Sequence, residues 1–465
     1  MFCQLDRLRR CLSPRIRQAI EELPETLDET YERTLMDIDN ENWAYAHRLF
    51  QCIVVAQRPL CVEELAEFLA FKSEEGGSLT FDGNWRPENA RDTVLSICSS
   101  IIAIVNVDDS LVIQFSHFSV KEYLTSSRIA KGHVSRNYIL LEPAHLLVTQ
   151  ACLSFLLQLD EHVTKTSIKE FPLARYAGQY WTYHAEFGDV ASDAEDLIKC
   201  LFNPEKHHFT NWVWIYDTIS YRSIGSERPS LPAFAPLHYA ARHGFHRVAE
   251  WLITTCSQGV NMSSNWLSRT PLHFSSERGQ FMVAQVLLTH HADVNARDDE
   301  DGTPLHFASV HGHPKVIRLL IEHGADVDPK SIEGKTALYY SSEGGNIEAA
   351  QVLLEYGADP NTWSKFSGTS LYKALLFGNQ GLTQLLLKYG ANPNVRDADG
   401  RTPLHVSSRR GDPEVVQRIL ELDVDVNSRD NEGRTPLQYV TNDTESWSFD
   451  RKQIVQVLLK HGASI

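Results

Sequence analysis

Ten residues, Thr303-Pro304-Leu305-His306-Phe307-Ala308-Ser309-Val310-His311-Gly312, return in varied form through the second half of the chain. The copies start at Ala235, Thr270, Thr303, Thr336, Thr369, Thr402 and Thr435; the first step is 35 residues and each later one is 33. A fixed interval of this size is the mark of a stacked array of like units. Each copy carries the same devices. The Thr hydroxyl suits a helix N-cap, and the Pro beside it suits the first helical turn. Leu305 and Ala308 lie three apart and share one helix face. Gly312 ends this short helix with a positive φ. A second helix follows, striped by Val316, Leu319 and Leu320, and stops at Gly324. Its stripe recurs at Val286-Leu287-Leu288, Val352-Leu353-Leu354, Leu385-Leu386-Leu387 and Ile419-Leu420. In the last copy Val457-Leu458-Leu459 arrives six residues late, which places an insertion within 442–450, bulging from the inter-helix turn. One helix pair cannot bury both its faces alone, so the stability of such an array lies in the interfaces between neighbours.

A chain of 465 residues has room for two or more domains. Its net charge of −16 argues against a general binder of nucleic acid or of an anionic membrane. The eight cysteines form no Cys-x-x-Cys pair, and several fall on apolar helical positions, so buried free thiols in a reducing compartment are expected. The N-terminus runs straight into Leu5-Asp6-Arg7-Leu8-Arg9-Arg10, without the pattern of a signal peptide. The most apolar run, Leu146 to Leu159, is broken by Thr149, Gln150 and Ser154 and is too short to span a bilayer. The expected location is the cytoplasm, with the nucleus as the other compartment open to the chain, and no membrane partner is expected.

The first half reads as mainly α. Residues 1–40 are a helical segment with a basic cluster at Arg7, Arg9, Arg10, Arg15 and Arg17, best taken as the solvated side of an amphipathic helix. Residues 41–128 offer three helices, around Ala44–Ala56, Val62–Leu69 and Thr93–Ile101, and then a hairpin. Its strands are Ile104-Val105-Asn106-Val107 and Leu111-Val112-Ile113-Gln114-Phe115. Three helices with a two-stranded wing make a winged-helix arrangement. A DNA reader needs a third helix rich in Arg, Lys, Asn or Gln. This one offers Glu88, Asn89, Arg91 and Asp92, so a protein-packing role is expected and no nucleic-acid partner. Residues 129–228 are helical and rich in aromatics, with Tyr176, Tyr180, Trp181, Tyr183, Trp212, Trp214 and Tyr216 as expected core. They read as an adaptor between the winged helix and the array at 229–465, which Pro229-Ser230-Leu231-Pro232 leads into.

The Thr-Pro-Leu-His heads, the 33-residue step and loops such as Gly324-Ala325-Asp326-Val327-Asp328 resemble ankyrin repeats over roughly 235–465. That resemblance implies an α-solenoid with finger-like hairpins, working as a protein-binding surface. His291 and Asp423 depart from it by replacing the capping Gly, and Tyr339 and Tyr372 by replacing the motif His. Several stretches of the first half are similar to fungal NACHT–ankyrin proteins of the STAND, or NOD-like-receptor, type. They are Gln4 to Arg10, Leu23-Pro24-Glu25-Thr26-Leu27-Asp28-Glu29-Thr30-Tyr31-Glu32-Arg33, Arg58-Pro59-Leu60, Phe115 to Leu124, and Phe171 to Tyr176. In that family a nucleotide-binding NACHT module comes first, the winged helix is of the GPI inositol-deacylase type, and the ankyrin array is the sensing end. This chain opens where such a module would end, so the module is expected to be absent and a separate NACHT-type protein is a candidate partner.

The resemblance also implies which side chains face a partner: the fingers before each Thr and the two residues before each first-helix Gly. In the fingers these are Trp266, Arg269, Glu333, Lys335, Lys365, Phe366 and Arg401. On the inner helices they are Arg242, His243, Glu277, Arg278, Val310, His311, Phe377, Arg409 and Arg410. Trp266, Phe366 and Phe377 are the expected anchors, since binding energy concentrates in aromatics.

Reactive chemistry finds little support. Gly334-Lys335-Thr336 imitates the tail of a phosphate loop, but Pro329 stands where its first Gly is required, so no nucleotide cofactor is expected. There is no Gly-x-Ser-x-Gly elbow and no His-Glu-x-x-His helix. His243 with His246, and His306 with His311 and His313, are close enough in sequence to picture as metal ligands, but the repeat motif accounts for them. The reading is a non-catalytic interaction scaffold. Two alternatives are a regulatory subunit of a separate hydrolase or NACHT ATPase, and a winged-helix DNA-binding regulator.

Overall fold

The computed structural model describes residues 26–73, 79–82, 86–98, 101–107, 110–130, 132–220, 232, 234–265, 267–365, 368–441 and 449–464. The Arg7–Arg17 cluster, Trp266, Phe366 and residues 442–448 of the insertion lie outside them. Two compact units divide the chain, Met1–Pro232 and Ala233–Ile465.

Among the described residues of the first unit, the earliest helix is α1 (Leu27–Met36), whose N-cap Thr26 accepts a bond from the Glu29 N–H. Then come α2 (Trp43–Val55), β1 (Leu60–Cys61), α3 (Val62–Glu67), β2 (Phe71–Ser73), β3 (Leu79–Phe81), α4 (Ala90–Cys98), β4 (Ile102–Val107) and β5 (Ser110–Phe115). The expected wing is β4 paired antiparallel with β5, with Ile104 opposite Ile113. Two features escaped the sequence. The two-residue β1 joins the other edge of β5, giving the order β1-β5-β4. A separate ribbon pairs β2 with β3, Phe71 opposite Phe81. Strands this short carry no visible alternation, and burial on their neighbours decides them. The core here is Leu49, Phe50, Leu65, Phe68, Val94 and Ile113. Buried Glu64 both receives Arg58, at 2.5 Å, and accepts the Cys61 N–H at the start of α3.

Next are α5 (Phe118–Leu124), α6 (Ser127–Ala130), α7 (Leu141–Leu156), α8 (Leu173–Ala185), α9 (Val190–Asp193), α10 (Glu195–Phe202) and α11 (His208–Ser220). Helix α7 packs on α8, on α2 and on β3, where the Ser154 hydroxyl donates to the Leu79 carbonyl at 2.8 Å. Tyr176, Trp181, Trp212 and Trp214 are buried as expected, whereas Tyr180 and Tyr216 are half-buried and Tyr183 is exposed. Trp181 meets Trp212 at 5.3 Å, and Trp212 Nε1 donates to the Gly178 carbonyl at 3.0 Å. Helices α8 and α11 approach so closely there that a Cβ on Gly178 would run into the Ile215 side chain. Cys52, Cys98 and Cys152 are buried free thiols as expected, but Cys200 is exposed, because the apolar stripe of α10 (Ile198, Leu201, Phe202) turns its other side outward. A buried polar relay joins α7, α8 and the loop after α2. The Gln57 N–H donates to Tyr176 Oη at 3.3 Å, and the tyrosine hydroxyl shares a hydrogen bond with His184 Nε2 at 2.9 Å. His184 Nδ1 in turn shares a hydrogen bond with His145 Nδ1 at 2.9 Å. Burial lowers His184 to about 3 and His145 to about 4, so both rings are neutral.

The second unit stacks helix pairs. They are α12 (Pro236–His243) with α13 (His246–Thr254), α14 (Pro271–Glu277) with α15 (Phe281–Thr289), and α16 (Pro304–Val310) with α17 (Pro314–Glu322). There follow α18 (Ala337–Glu343) with α19 (Ile347–Glu355), α20 (Ser370–Phe377) with α21 (Gln380–Lys388), α22 (Pro403–Arg410) with α23 (Pro413–Leu420), and α24 (Pro436–Thr441) with α25 (Phe449–Lys460). Each inner helix packs on the next inner helix and each outer helix on the next outer one. Leu305, Ala308, Val316, Ile317 and Leu320 are buried, and the same positions are buried in the neighbouring copies. Gly312 has φ 72°, as the turn requires. His291 takes the expected positive φ of 63°, whereas Asp423 does not adopt that conformation. The chain leaves α23 instead through a bond from the Val424 N–H to the Leu422 carbonyl at 2.8 Å.

Candidate functional site

The motif histidine is the joint between units. The Thr303 N–H donates to His306 Nδ1 at 3.0 Å, which makes that nitrogen an acceptor and puts the proton on Nε2. Nε2–H then reaches the Pro329 and Lys335 carbonyls at 3.0 and 3.1 Å, in the finger that leads to the next pair. His273 repeats this on the Gly302 carbonyl and His405 on the Arg434 carbonyl. Each ring also stands edge-on to the aromatic of the following unit: His273 to Phe307, His306 to Tyr340, His405 to Tyr439. Burial lowers His273 and His306 to about 4. With both nitrogens of these rings committed, their role is structural. Among the described residues no group of three His, Cys, Asp or Glu side chains could hold a metal.

The fingers are pinned by carboxylates. Asp397 Oδ1 accepts the Asp399 and Arg401 N–H groups at 3.0 and 2.7 Å, and its Oδ2 accepts Arg401 Nε at 2.7 Å. Burial would raise the Asp397 carboxyl, but the bonds from Tyr372 and Arg401 prevail and hold it low. Asp430 holds Arg434 in the same way, and Asp298 holds Arg269 at 3.2 Å. Neighbouring fingers join by backbone bonds, from the Ile332 N–H to the Glu300 carbonyl and from the Lys365 N–H to the Glu333 carbonyl. Arg269 and Arg401, expected to meet a partner, are thus engaged within the array. Arg269 also lies 4.2 Å over the Phe307 ring, and Lys335 is bound to Glu333 at 2.6 Å.

The remaining expected contacts spread along the inner-helix ends. Arg242 and His243 are half-buried at the end of α12, with Gln280 donating to the Arg242 carbonyl at 3.5 Å. Glu277 faces Arg269 at 3.5 Å and exposed Arg278 at 3.9 Å. Val310 is half-buried, and exposed His311 donates from Nδ1 to the Phe307 carbonyl at 3.0 Å. Lys365 is exposed. Phe377, at 55% exposure, and Arg409 and Arg410, both exposed, come together on adjacent helices α20 and α22.

Two features were missed. The residue after each motif position, which holds His, Tyr or Gln, forms a column across the inner face: Tyr239, Phe274, Phe307, Tyr340, Lys373, Val406 and Tyr439. Their regular place after that position was the available signal. Lys373 lies within this column and binds Glu343 at 2.7 Å. Trp363, 42% exposed on a finger, occupies a position held elsewhere by Arg297, Lys330, Arg396 and Arg429. Within the first unit, the exposed side of α4 carries Arg91 beside Asp92, with Asn89 bonded to Asp92. No helix of the described residues is long and apolar enough to cross a membrane.

Stacked helix pairs, backbone-linked fingers and an inner face of exposed side chains define a repeat scaffold for protein recognition. Residues 223–298, 295–363 and 371–465 match the ankyrin repeats, together about half of the chain. The chain belongs to the ankyrin-repeat family, and its array serves protein–protein interaction. Residues 31–134 match the GPI inositol-deacylase winged helix domain. A curated relative, azaphilone pigments biosynthesis cluster protein L of Monascus ruber, is 32% identical over 290 residues. That alignment covers 58% of this chain and 60% of the relative, so the chain spans about three fifths of the relative's length. Among solved structures, the ankyrin repeat domain of Bcl-3, a member of the IkappaB protein family, is 27% identical with a TM-score of 0.43, over 49% of this chain and 98% of that one. The human ASB11 ankyrin repeat domain is 24% identical with a TM-score of 0.44, over 50% of this chain and 100% of that one.

Proposed function

We propose that this chain is the non-catalytic sensing half of a NOD-like-receptor-type assembly, in which the array captures a protein and the first unit passes the event on. The observation that carries this reading is the inner-helix face around α20 and α22. Exposed Leu376 and Phe377 stand there next to exposed Arg409 and Arg410. Burying such an aromatic on a partner contributes more than the charged rim around it. The first unit acts as a protein-packing module, since its third helix presents Arg91 against Asp92 and little else that could read a base.

The test compares the full chain with Phe377→Ala in quantitative affinity capture from the native host. The reading expects one reproducible partner to be lost from the variant while the melting temperature stays within about 1 °C, because the side chain is exposed. An unchanged capture profile contradicts it, as does turnover of a nucleoside triphosphate or a lipid by the purified chain. The match of residues 31–134 to a domain named for a deacylase supports a second reading, an accessory subunit to a separate hydrolase. In that case the partner is retained by Met1–Pro232 and is indifferent to Phe377.

A further inference from the structure

Two neighbouring inner helices set apolar and cationic surface side by side. Helix α20 ends in Leu376 and Phe377, 41% and 55% exposed. The Lys373 ammonium lies 5.0 Å from the Phe377 ring centroid and is already satisfied by Glu343. Helix α22 ends in Arg409 and Arg410. Arg410 folds back along the end of α20: a Cβ on Gly378, the residue after Phe377, would strike its guanidinium. That contact holds one cation at the residue that follows the aromatic.

The cations at the finger bases each have a carboxylate: Arg269 has Asp298, Arg401 has Asp397 and Arg434 has Asp430. Among the described residues Arg409 and Arg410 have none. Two uncompensated guanidinium groups next to an exposed Phe, on a chain of net charge −16, are a local inversion of the molecule's own field. A nucleic acid would need a longer row of free cations than this pair, and the surrounding charge repels it. A carboxylate needs only the planar guanidinium fork.

We propose that this corner binds an acidic segment of a partner protein, one apolar side chain lying on Leu376 and Phe377 and following carboxylates engaging Arg409 and Arg410. The proposal rests on the array being the protein-binding element. Packed helices lie about 8–10 Å apart, and an extended segment advances about 3.3 Å per residue. The apolar residue and the first Asp or Glu are therefore about three positions apart.

The experiment selects a displayed library of random peptides on the immobilised full chain and measures the winners by fluorescence anisotropy. The expected winners carry Leu, Ile or Phe followed at this spacing by Asp or Glu. Their affinity falls about tenfold or more in Arg409→Glu/Arg410→Glu, and similarly in Phe377→Ala. Replacing the acids by Lys restores binding to the charge-reversed chain, which a merely misfolded variant could not show. Winners without the acids, or bound equally by the charge-reversed chain, overturn the proposal and leave the array free to bind protein elsewhere. Winners that require phosphoserine, or self-association of the chain that is lost in Arg409→Glu/Arg410→Glu, overturn it by naming another occupant. Winners that bind Met1–Pro232, or none at all, count against the array reading itself.

Discussion

Replacing His306 by Ala cuts the joint between the third and fourth helix pairs. The ring is 3% exposed and links the Thr303 N–H to the Pro329 and Lys335 carbonyls. Ala leaves the N–H and at least one carbonyl without a partner, at about 1–3 kcal/mol each. It also removes the edge-on contact with Tyr340 at 5.4 Å, worth about 0.5–1.5 kcal/mol. The total is about 2.5–7.5 kcal/mol, concentrated at one interface. Because a repeat array holds together through its neighbours, the loss should split unfolding into two steps. Urea titration followed by hydrogen exchange reads this directly: helices α18 to α25 lose protection before α12 to α17. The chain supplies its own intermediate, since Gln438 stands at the motif position of the last unit and accepts the Thr435 N–H at 2.9 Å. His306→Gln keeps the cap and loses the bond to the next finger, so it should fall between wild type and Ala. A loss below about 1 kcal/mol, or faster exchange spread evenly over the array, would refute the joint.

The remaining expectations follow from single contacts. His273 and His306, lowered to about 4 by burial, titrate near 6.5 once unfolded. The unfolded chain therefore binds more protons between those values, so stability is full above about pH 6.5 and falls as the pH drops toward 4. Each ring accounts for up to about 3 kcal/mol, and His306→Gln should show a shallower fall; a melting temperature flat from pH 7 to about 4.5 contradicts this. Gly178→Ala drives a methyl into Ile215 and should cost the first unit about 1–3 kcal/mol, with no change in array melting; an unchanged first transition would mean that α8 and α11 can part freely. Asp430→Asn weakens the hold on Arg434 and frees the last finger, so exchange should rise over 428–435 while peptide binding at Arg409 and Arg410 persists.

The array was legible because the central units repeat cap, stripe and glycine at one interval of 33 residues, so a register error would have shown in several copies at once. The winged helix was legible through its alternating hairpin, while β1 and the β2–β3 ribbon were too short to alternate. The site was harder to read. The resemblance to ankyrin repeats implied that Phe377, Arg409 and Arg410 face outward, and all three are exposed. It could not show that Arg269 and Arg401 are pinned, because Asp298 lies 29 residues from Arg269 and the Arg401 clasp depends on a carboxylate turned inward. Glycines that permit close approach, such as Gly178, look like any other glycine until the opposing helix is in place.

The central claim is that a protein partner is held on the inner-helix face. Hydrogen exchange of the full chain, free and bound to a selected peptide or captured partner, tests it most directly. Protection confined to the ends of α20 and α22 and the fingers beside them is the predicted result. Protection on the outer helices α13 to α25, or within Met1–Pro232 alone, would contradict it.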